Sequence, residues 1–404
     1  MVQWTRAEPR GAMSHNPSPT TRRRDFVKRC AMGGCGLALA TSAGYRLVSG
    51  DGPRAMSMGF TNDPPKSDWP FAREAEWYEE HLGAVTCRLC PHQCVLREND
   101  RGFCRVRAVK DHKLLTLVYG NPCSLHVDPL EKKPLYHFLP GRSVLSLATA
   151  GCNLRCLNCQ NWEISQARPE DIPSTAATPE QLVQAAVAKA IPAIAYTYSE
   201  PIIFYEYARD CSAAAREKGI RNILVTAGFI REEPLRALCR VTDAANVDMK
   251  SFSDRTYRRL NRGRLAPILR ALEVMREEGV WLELTRLVVP GHSDEIDDVG
   301  RMCEWVRKTL GPDVPLHISR FHPAYRLQAL PPTPLPLLQQ AYDAARSAGL
   351  HHVYIGNVPG RAGQNTTCPK CGNEVIVRRG YEVQMTGMKD GRCTCGETVA
   401  GVWS

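Results

Sequence analysis

Beyond residue 50 the sequence has no apolar run long enough to cross a bilayer, which excludes a body built on membrane-spanning helices. It has no basic run interleaved with aromatic residues, so no nucleic-acid partner is expected. It has no internal repeat of fixed period, which excludes solenoids and propellers. A formal net charge of +10 remains to be explained, part of it from Arg22, Arg23, Arg24, Lys28 and Arg29. A solvated basic surface or an anionic substrate accounts for it best. The composition, 43% hydrophobic and 23% charged, is that of an ordinary globular chain. Its 404 residues suffice for one large domain with one or two small ones, and a core of that size needs no disulfides.

Against this background the seventeen cysteines stand out. Eleven fall into three tight groups: Cys87, Cys90, Cys94 and Cys104; Cys152, Cys156 and Cys159; and Cys368, Cys371, Cys393 and Cys395. Thiols two or three residues apart are poor disulfide partners and good ligand pairs, so the groups read as metal sites assembled from reduced thiols. The other six, Cys30, Cys35, Cys123, Cys211, Cys239 and Cys303, are scattered. Cys211, Cys239 and Cys303 read as small buried hydrophobes.

Residues 1–20 are polar and contain proline, the composition of a disordered tail. Arg23-Arg24-Asp25-Phe26-Val27-Lys28 then precedes an apolar, Gly/Ala-rich run from Ala31 to about Val48. This resembles a twin-arginine export signal with Ala38-Leu39-Ala40 as its cleavage site. The alternatives are a disordered basic tail before a short helix, a retained anchor, or a true start at Met13 or later. Gly33-Gly34-Cys35 has too little apolar sequence before it for a lipidation site. Membrane contact is expected only through this segment, and location stays open. Residues 50–80 read as a polar linker and then a short helix.

From Ser143 onward, short β-rich runs alternate with helical stretches. The runs are Val144–Ala148, Ala193–Tyr198, Asn222–Thr226, Ala245–Asp248, Trp281–Val289, Leu316–Ser319 and His352–Ile355. The helical stretches include Pro179–Ala190, Ile203–Lys218 and Glu232–Cys239. This alternation argues for a parallel sheet with helical crossovers. The expected division is a tail over 1–50, a linker and four-cysteine knuckle over 51–140, an α/β core over 141–360 and a four-cysteine ribbon over 361–404.

The central group follows the first of these strands directly, as Gly151-Cys152-Asn153-Leu154-Arg155-Cys156-Leu157-Asn158-Cys159. A 4Fe–4S cube takes four thiolates; three in one loop leave one iron open to a chelating amine and carboxylate. A zinc site or an ordinary ferredoxin-type cluster is the alternative. The spacing resembles that of radical S-adenosylmethionine (SAM) enzymes, in which the open iron holds the methionine part of SAM. There SAM is cleaved reductively to a 5′-deoxyadenosyl radical, which removes hydrogen from the substrate, while the protein positions the cofactor and excludes water. Ligand loops in barrel-like α/β folds lie at the C-terminal ends of strands, and the other strand ends here are also polar. They carry Glu200, Thr226 and Gly228, Asp248 and Lys250, and His322, with Arg286 inside the fifth run. Singly, each has a bland reading such as a surface ion pair or a loop histidine.

Taken together, these stretches resemble the AmmeMemoRadiSam-system radical SAM enzymes, relatives of the pyruvate formate-lyase activating enzymes. The resemblance is carried by Cys87–Cys104, Asp128–His137, Gly151–Ser165, Tyr196–Tyr207, Asn246–Phe252, His317–Tyr325, Gly356–Gly360 and the C-terminal ribbon. It implies a partial (β/α)6 TIM-like radical SAM barrel with a Cys-rich N-terminal extension and a zinc-ribbon-like C-terminal segment. It further implies one 4Fe–4S cluster on Cys152, Cys156 and Cys159, with SAM as cofactor. Glu200 would accept from the SAM amine, and Thr226, Gly228, Asp248, Lys250, Arg286 and His322 would be further cofactor contacts. Memo-like and AMMECR1-like proteins are the implied partners, with flavodoxin or ferredoxin as electron donor. Asn158 departs from the pattern, standing where the family has an aromatic residue that packs near the adenine.

The flanking groups can each close on a metal. Cys87, Cys90, Cys94 and Cys104 read as a zinc knuckle or an auxiliary iron–sulfur cluster. Cys368, Cys371, Cys393 and Cys395 read as a zinc ribbon, with a hairpin over Val375–Val377 and Tyr381–Val383. Two other functions compete with SAM cleavage on an unidentified substrate. One is activation of a glycyl-radical enzyme; the other is a non-catalytic metal-binding scaffold.

Overall fold

The computed structural model describes residues 69–358 and 363–404. The tail, the twin-arginine-like segment, Cys30 and Cys35 lie outside the described residues. The apolar runs become one eight-stranded sheet: β1 (Ser124–Pro129), β2 (Ser143–Ala148), β3 (Ala193–Tyr196), β4 (Arg221–Thr226), β5 (Ala244–Asp248), β6 (Trp281–Val288), β7 (Leu316–Arg320) and β8 (Val353–Gly356). The strands lie side by side in chain order. β2 to β8 are all parallel, and β1 is antiparallel to β2 with Asp128 opposite Val144. Neither edge pairs with the other, so the sheet stays open.

Six longer helices make the crossovers: α1 (Pro179–Ala188), α2 (Tyr205–Glu217), α3 (Glu232–Cys239), α4 (Leu265–Glu277), α5 (Ile296–Thr309) and α6 (Leu335–Ser347). Helical cover on parallel strands buries them on both faces, which is why they read as continuous apolar runs; all four residues of β3 are buried. α1 starts at a reciprocal cap between Thr178 and Gln181 with proline in its first turn. This is the expected α/β architecture with a mostly parallel sheet. β1 lies ahead of the stretch where strand–helix alternation begins, and its half-exposed edge position gives it only a weak apolar signal.

The short helix expected before residue 80 is absent among the described residues. Arg73–Glu74 instead pairs with Lys113–Thr116, and Tyr78–His81 pairs with Ala84–Cys87. Alanine and glutamate there favour helix. The two-residue turn Leu82-Gly83, with φ of 50° and 72°, has the positive dihedrals that close a hairpin, and the cross-strand pairing prevails.

The C-terminal segment forms a three-stranded antiparallel sheet from Thr366–Thr367, Glu374–Arg379 and Glu382–Met385. It is joined to the N-terminal ends of β6, β7 and β8. His137 bonds to the Ala400 carbonyl (2.6 Å) and to the Tyr354 hydroxyl (2.5 Å). Val402 N–H donates to the His137 carbonyl, Leu139 N–H donates to the Val402 carbonyl, and Arg378 reaches the Tyr136 carbonyl. Beneath them the buried Glu283 accepts from the backbone of Tyr136 and His137 and pairs with His317. The ribbon thus closes the end of the sheet opposite the loop that carries Cys152.

Candidate functional site

β2 runs straight into the central cysteine loop. Gly151 makes the turn with φ of 94°, and a Cβ there would lie 2.6 Å from Val106 Cγ1 and 2.7 Å from the Cys104 carbonyl oxygen. Only glycine fits so close an approach in that conformation. Backbone bonds then fix the loop: Gly151 N–H to the Ile164 carbonyl, Arg155 N–H to Asn261 and Leu157 N–H to Leu260. The last two partners belong to a tight turn over Tyr257–Asn261 that ends on Arg262 in the left-handed region.

Each thiol of the loop has a polar neighbour. Asn261 Nδ2 donates to Cys156 Sγ (3.1 Å) and Leu154 N–H to Cys152 Sγ (3.3 Å), while Ser165 Oγ lies 3.2 Å from Cys159 Sγ. Burial pushes the Cys156 thiol up to about 11, against the pull of the Lys250 charge. Burial also raises Cys152 well above an ordinary thiol, and the nearby Glu200 charge adds to it. The three sulfurs do not all lie within 4.8 Å of one another. That spread suits the corners of a cube better than one tetrahedral ion.

Glu200, after β3, is buried and held by three donors: Thr226 Oγ1 (2.5 Å), Ala227 N–H (2.9 Å) and Ile202 N–H (3.3 Å). Burial raises its carboxyl, and the Thr226 and Ala227 bonds oppose that. Gly228 N–H donates to Thr226 Oγ1 (3.0 Å), so the ends of β3 and β4 form one polar unit. After β5, Lys250 Nζ pairs with Asp248 at 2.6 Å. Burial works against the ammonium, but the Asp248 carboxylate holds it charged. The Cys152 loop, Glu200, Thr226, Gly228, Asp248 and Lys250 therefore gather at the C-terminal ends of the strands.

Arg286 and His322 are placed differently. Arg286 is fully buried, and its guanidinium holds the carbonyls of Lys250 and Ser293 and reaches Asp298. His322 is exposed and bonds to the Asn357 carbonyl at 3.2 Å. Asn158, the departure from the family pattern, is 6% exposed, and its Oδ1 has no hydrogen-bond partner in the structure. Sequence reasoning missed Asn261, which lies far along the chain from Cys156 and reaches it only through the Tyr257–Asn261 turn. It also missed Tyr257, whose hydroxyl accepts from Lys250 N–H (2.9 Å).

Comparison with known proteins decides the family. Residues 146–304 match the Radical SAM superfamily. An uncharacterized protein of Methanocaldococcus jannaschii is 44% identical over 331 residues, which cover 81% of this chain and 98% of that protein. The chain belongs to the radical SAM superfamily. The pyruvate formate-lyase 1-activating enzyme of Escherichia coli is 27% identical over 165 residues, 39% of this chain and 65% of that enzyme. Among solved structures, a domain of pyruvate-formate lyase-activating enzyme from Bacteroides vulgatus aligns over 40% of this chain and 98% of its own, with 16% identity and a TM-score of 0.36.

Membership in the radical SAM superfamily implies SAM and a 4Fe–4S cluster. The residues present fit both. Three thiols share one loop, with N–H donors aimed at Cys152 and Cys156 and the Ser165 hydroxyl beside Cys159, the kind of bond that tunes a cluster. Asn158 Oδ1 is a buried acceptor without a donor. The C-terminal Cys368, Cys371, Cys393 and Cys395 bring all four sulfurs within 4.8 Å and can hold one metal ion.

Proposed function

We propose that this radical SAM enzyme cleaves SAM reductively at a cluster on Cys152, Cys156 and Cys159, and that it is of the AmmeMemoRadiSam-system lineage. The observation that carries the reading is the three-thiol loop at the end of β2, ringed by Glu200, Thr226, Asp248 and Lys250. When bound, the cluster would supply the low-potential electron for reductive cleavage of SAM, and SAM the radical that takes hydrogen from a substrate. The chain's own groups bind and orient. A carboxylate has about four acceptor positions; Glu200 uses three on its own chain and keeps one for the SAM amine. Lys250, kept charged by Asp248, offers donors to a carboxylate or hydroxyl. Asn158 Oδ1 suits the exocyclic amine of adenine, in place of the aromatic contact. Arg286 positions Lys250 by holding its carbonyl. Electrons would come from a flavodoxin or ferredoxin, and Memo-like and AMMECR1-like proteins would be partners.

The test is anaerobic, with reduced, cluster-loaded protein and SAM. We expect 5′-deoxyadenosine and methionine, with Cys156→Ala reduced to background. Full cleavage by Cys156→Ala would refute the reading, and zinc at all three cysteine groups would favour a scaffold. Similarity over 165 residues to an Escherichia coli activating enzyme favours a second reading, in which the substrate is a protein and the product a glycyl radical. That product has its own electron paramagnetic resonance (EPR) signal, and a small-molecule substrate gives none.

A further inference from the structure

The N-terminal thiols carry an inference independent of the SAM reading. Cys87, Cys90, Cys94 and Cys104 line a single cavity of about 20 Å³, together with His92 and Arg107. A zinc ion with sulfurs at about 2.3 Å draws its tetrahedral thiolates to within about 3.8 Å of one another. The C-terminal group has that closure, with Cys368–Cys395 and Cys371–Cys393 each at 3.6 Å. Among the described residues no other three cysteine, histidine or acidic ligand atoms all fall within 4.8 Å. The N-terminal thiols therefore line one cavity without the close approach of a single tetrahedral ion.

Arg107 supplies a second, separate observation. It is 2% exposed and lines the cavity. Its Nη2 donates twice to Glu206, at 2.8 and 2.6 Å, while its Nε and Nη1 have no partner. A buried cation with two idle donor groups is costly unless an acceptor faces it. An anionic metal–sulfur group meets that need.

We propose that Cys87, Cys90, Cys94 and Cys104 hold a second 4Fe–4S cluster, with Arg107 as its charge partner. The site backs directly onto the central loop. Gly151 packs on the Cys104 carbonyl, and the His92 ring donates to the Asn153 carbonyl at 2.8 Å. The two cubes would sit on either side of one stretch of backbone.

Metal analysis of the full chain, purified and reconstituted anaerobically, tests this. The wild type should carry about eight irons and about eight sulfides per chain. The triple variant Cys152→Ala/Cys156→Ala/Cys159→Ala should keep about four of each, with a 4Fe–4S Mössbauer signature. In that background Arg107→Gln should make the midpoint potential more negative; an unchanged potential removes the arginine from the proposal. A wild type with about four irons and about two zinc ions overturns the proposal without reliance on any variant. An iron-free triple variant that retains wild-type circular dichroism overturns it as well.

Discussion

Gly151→Ala tests how tightly the central loop is built. Two costs add. The backbone at φ of 94° is unfavourable for any residue with a Cβ, by about 1–2 kcal/mol. The new methyl would also meet the Cys104 carbonyl oxygen at 2.7 Å, where ordinary contact starts at 3.4 Å. That oxygen belongs to backbone and cannot rotate away, and Val106, the other neighbour, is fully buried. The loop must then move by roughly 0.7 Å, with an overpacking cost of about 1–3 kcal/mol. The sum is roughly 3 kcal/mol, and the strain falls one residue from Cys152. Gly219→Ala isolates the conformational cost, because Gly219 has φ of 70° and nothing within 4 Å of the added methyl. The assay is the denaturation midpoint of both variants, with iron and sulfide measured after reconstitution. Gly151→Ala should lose about twice the stability of Gly219→Ala or more, and bind less iron. Equal stability loss with full iron in both would refute the argument.

Other perturbations follow from the same geometry. Asn261→Leu removes the donor to Cys156 Sγ and should make the cluster potential more negative in an EPR-monitored titration; an unchanged potential would count against that bond. Burial pulls His352 down to about 4, with Asp313 opposing, so the unfolded chain binds the extra proton below about pH 6.5. Stability should be complete above that pH and fall by about 3 kcal/mol as pH drops toward 4. Buried His137, also lowered, adds in the same direction, and His352→Gln should flatten part of the profile. Cys368→Ser should remove about one metal ion per chain and lower the melting temperature while the iron of the central loop holds, since Ala400 and Val402 clamp His137 and Leu139.

The legibility of this fold in its sequence follows from burial. Strands such as β3, covered on both faces, read as unbroken apolar runs. The edge strand β1 and the hairpin at Leu82-Gly83 do not, because one is half exposed and the other rests on turn dihedrals within a helix-favouring composition. Cysteine spacing marked three groups of thiols as ligand sets but not how far apart the thiols stand. That distance depends on the folds around them, such as the tight hairpin turns that bring Cys368 and Cys395 to 3.6 Å. The strand-end residues show the same limit. Polar residues at the C-terminal ends of parallel strands could be collected from the sequence, because the topology gathers those ends. Which way each side chain points could not be read in that way. Glu200 and Lys250 stand beside the cysteine loop, whereas Arg286 turns its guanidinium to the carbonyls of Lys250 and Ser293. An arginine on a strand next to a reaction centre has two physically distinct uses, to meet a ligand or to brace the loop that does. In this chain its hydrogen bonds go to the brace.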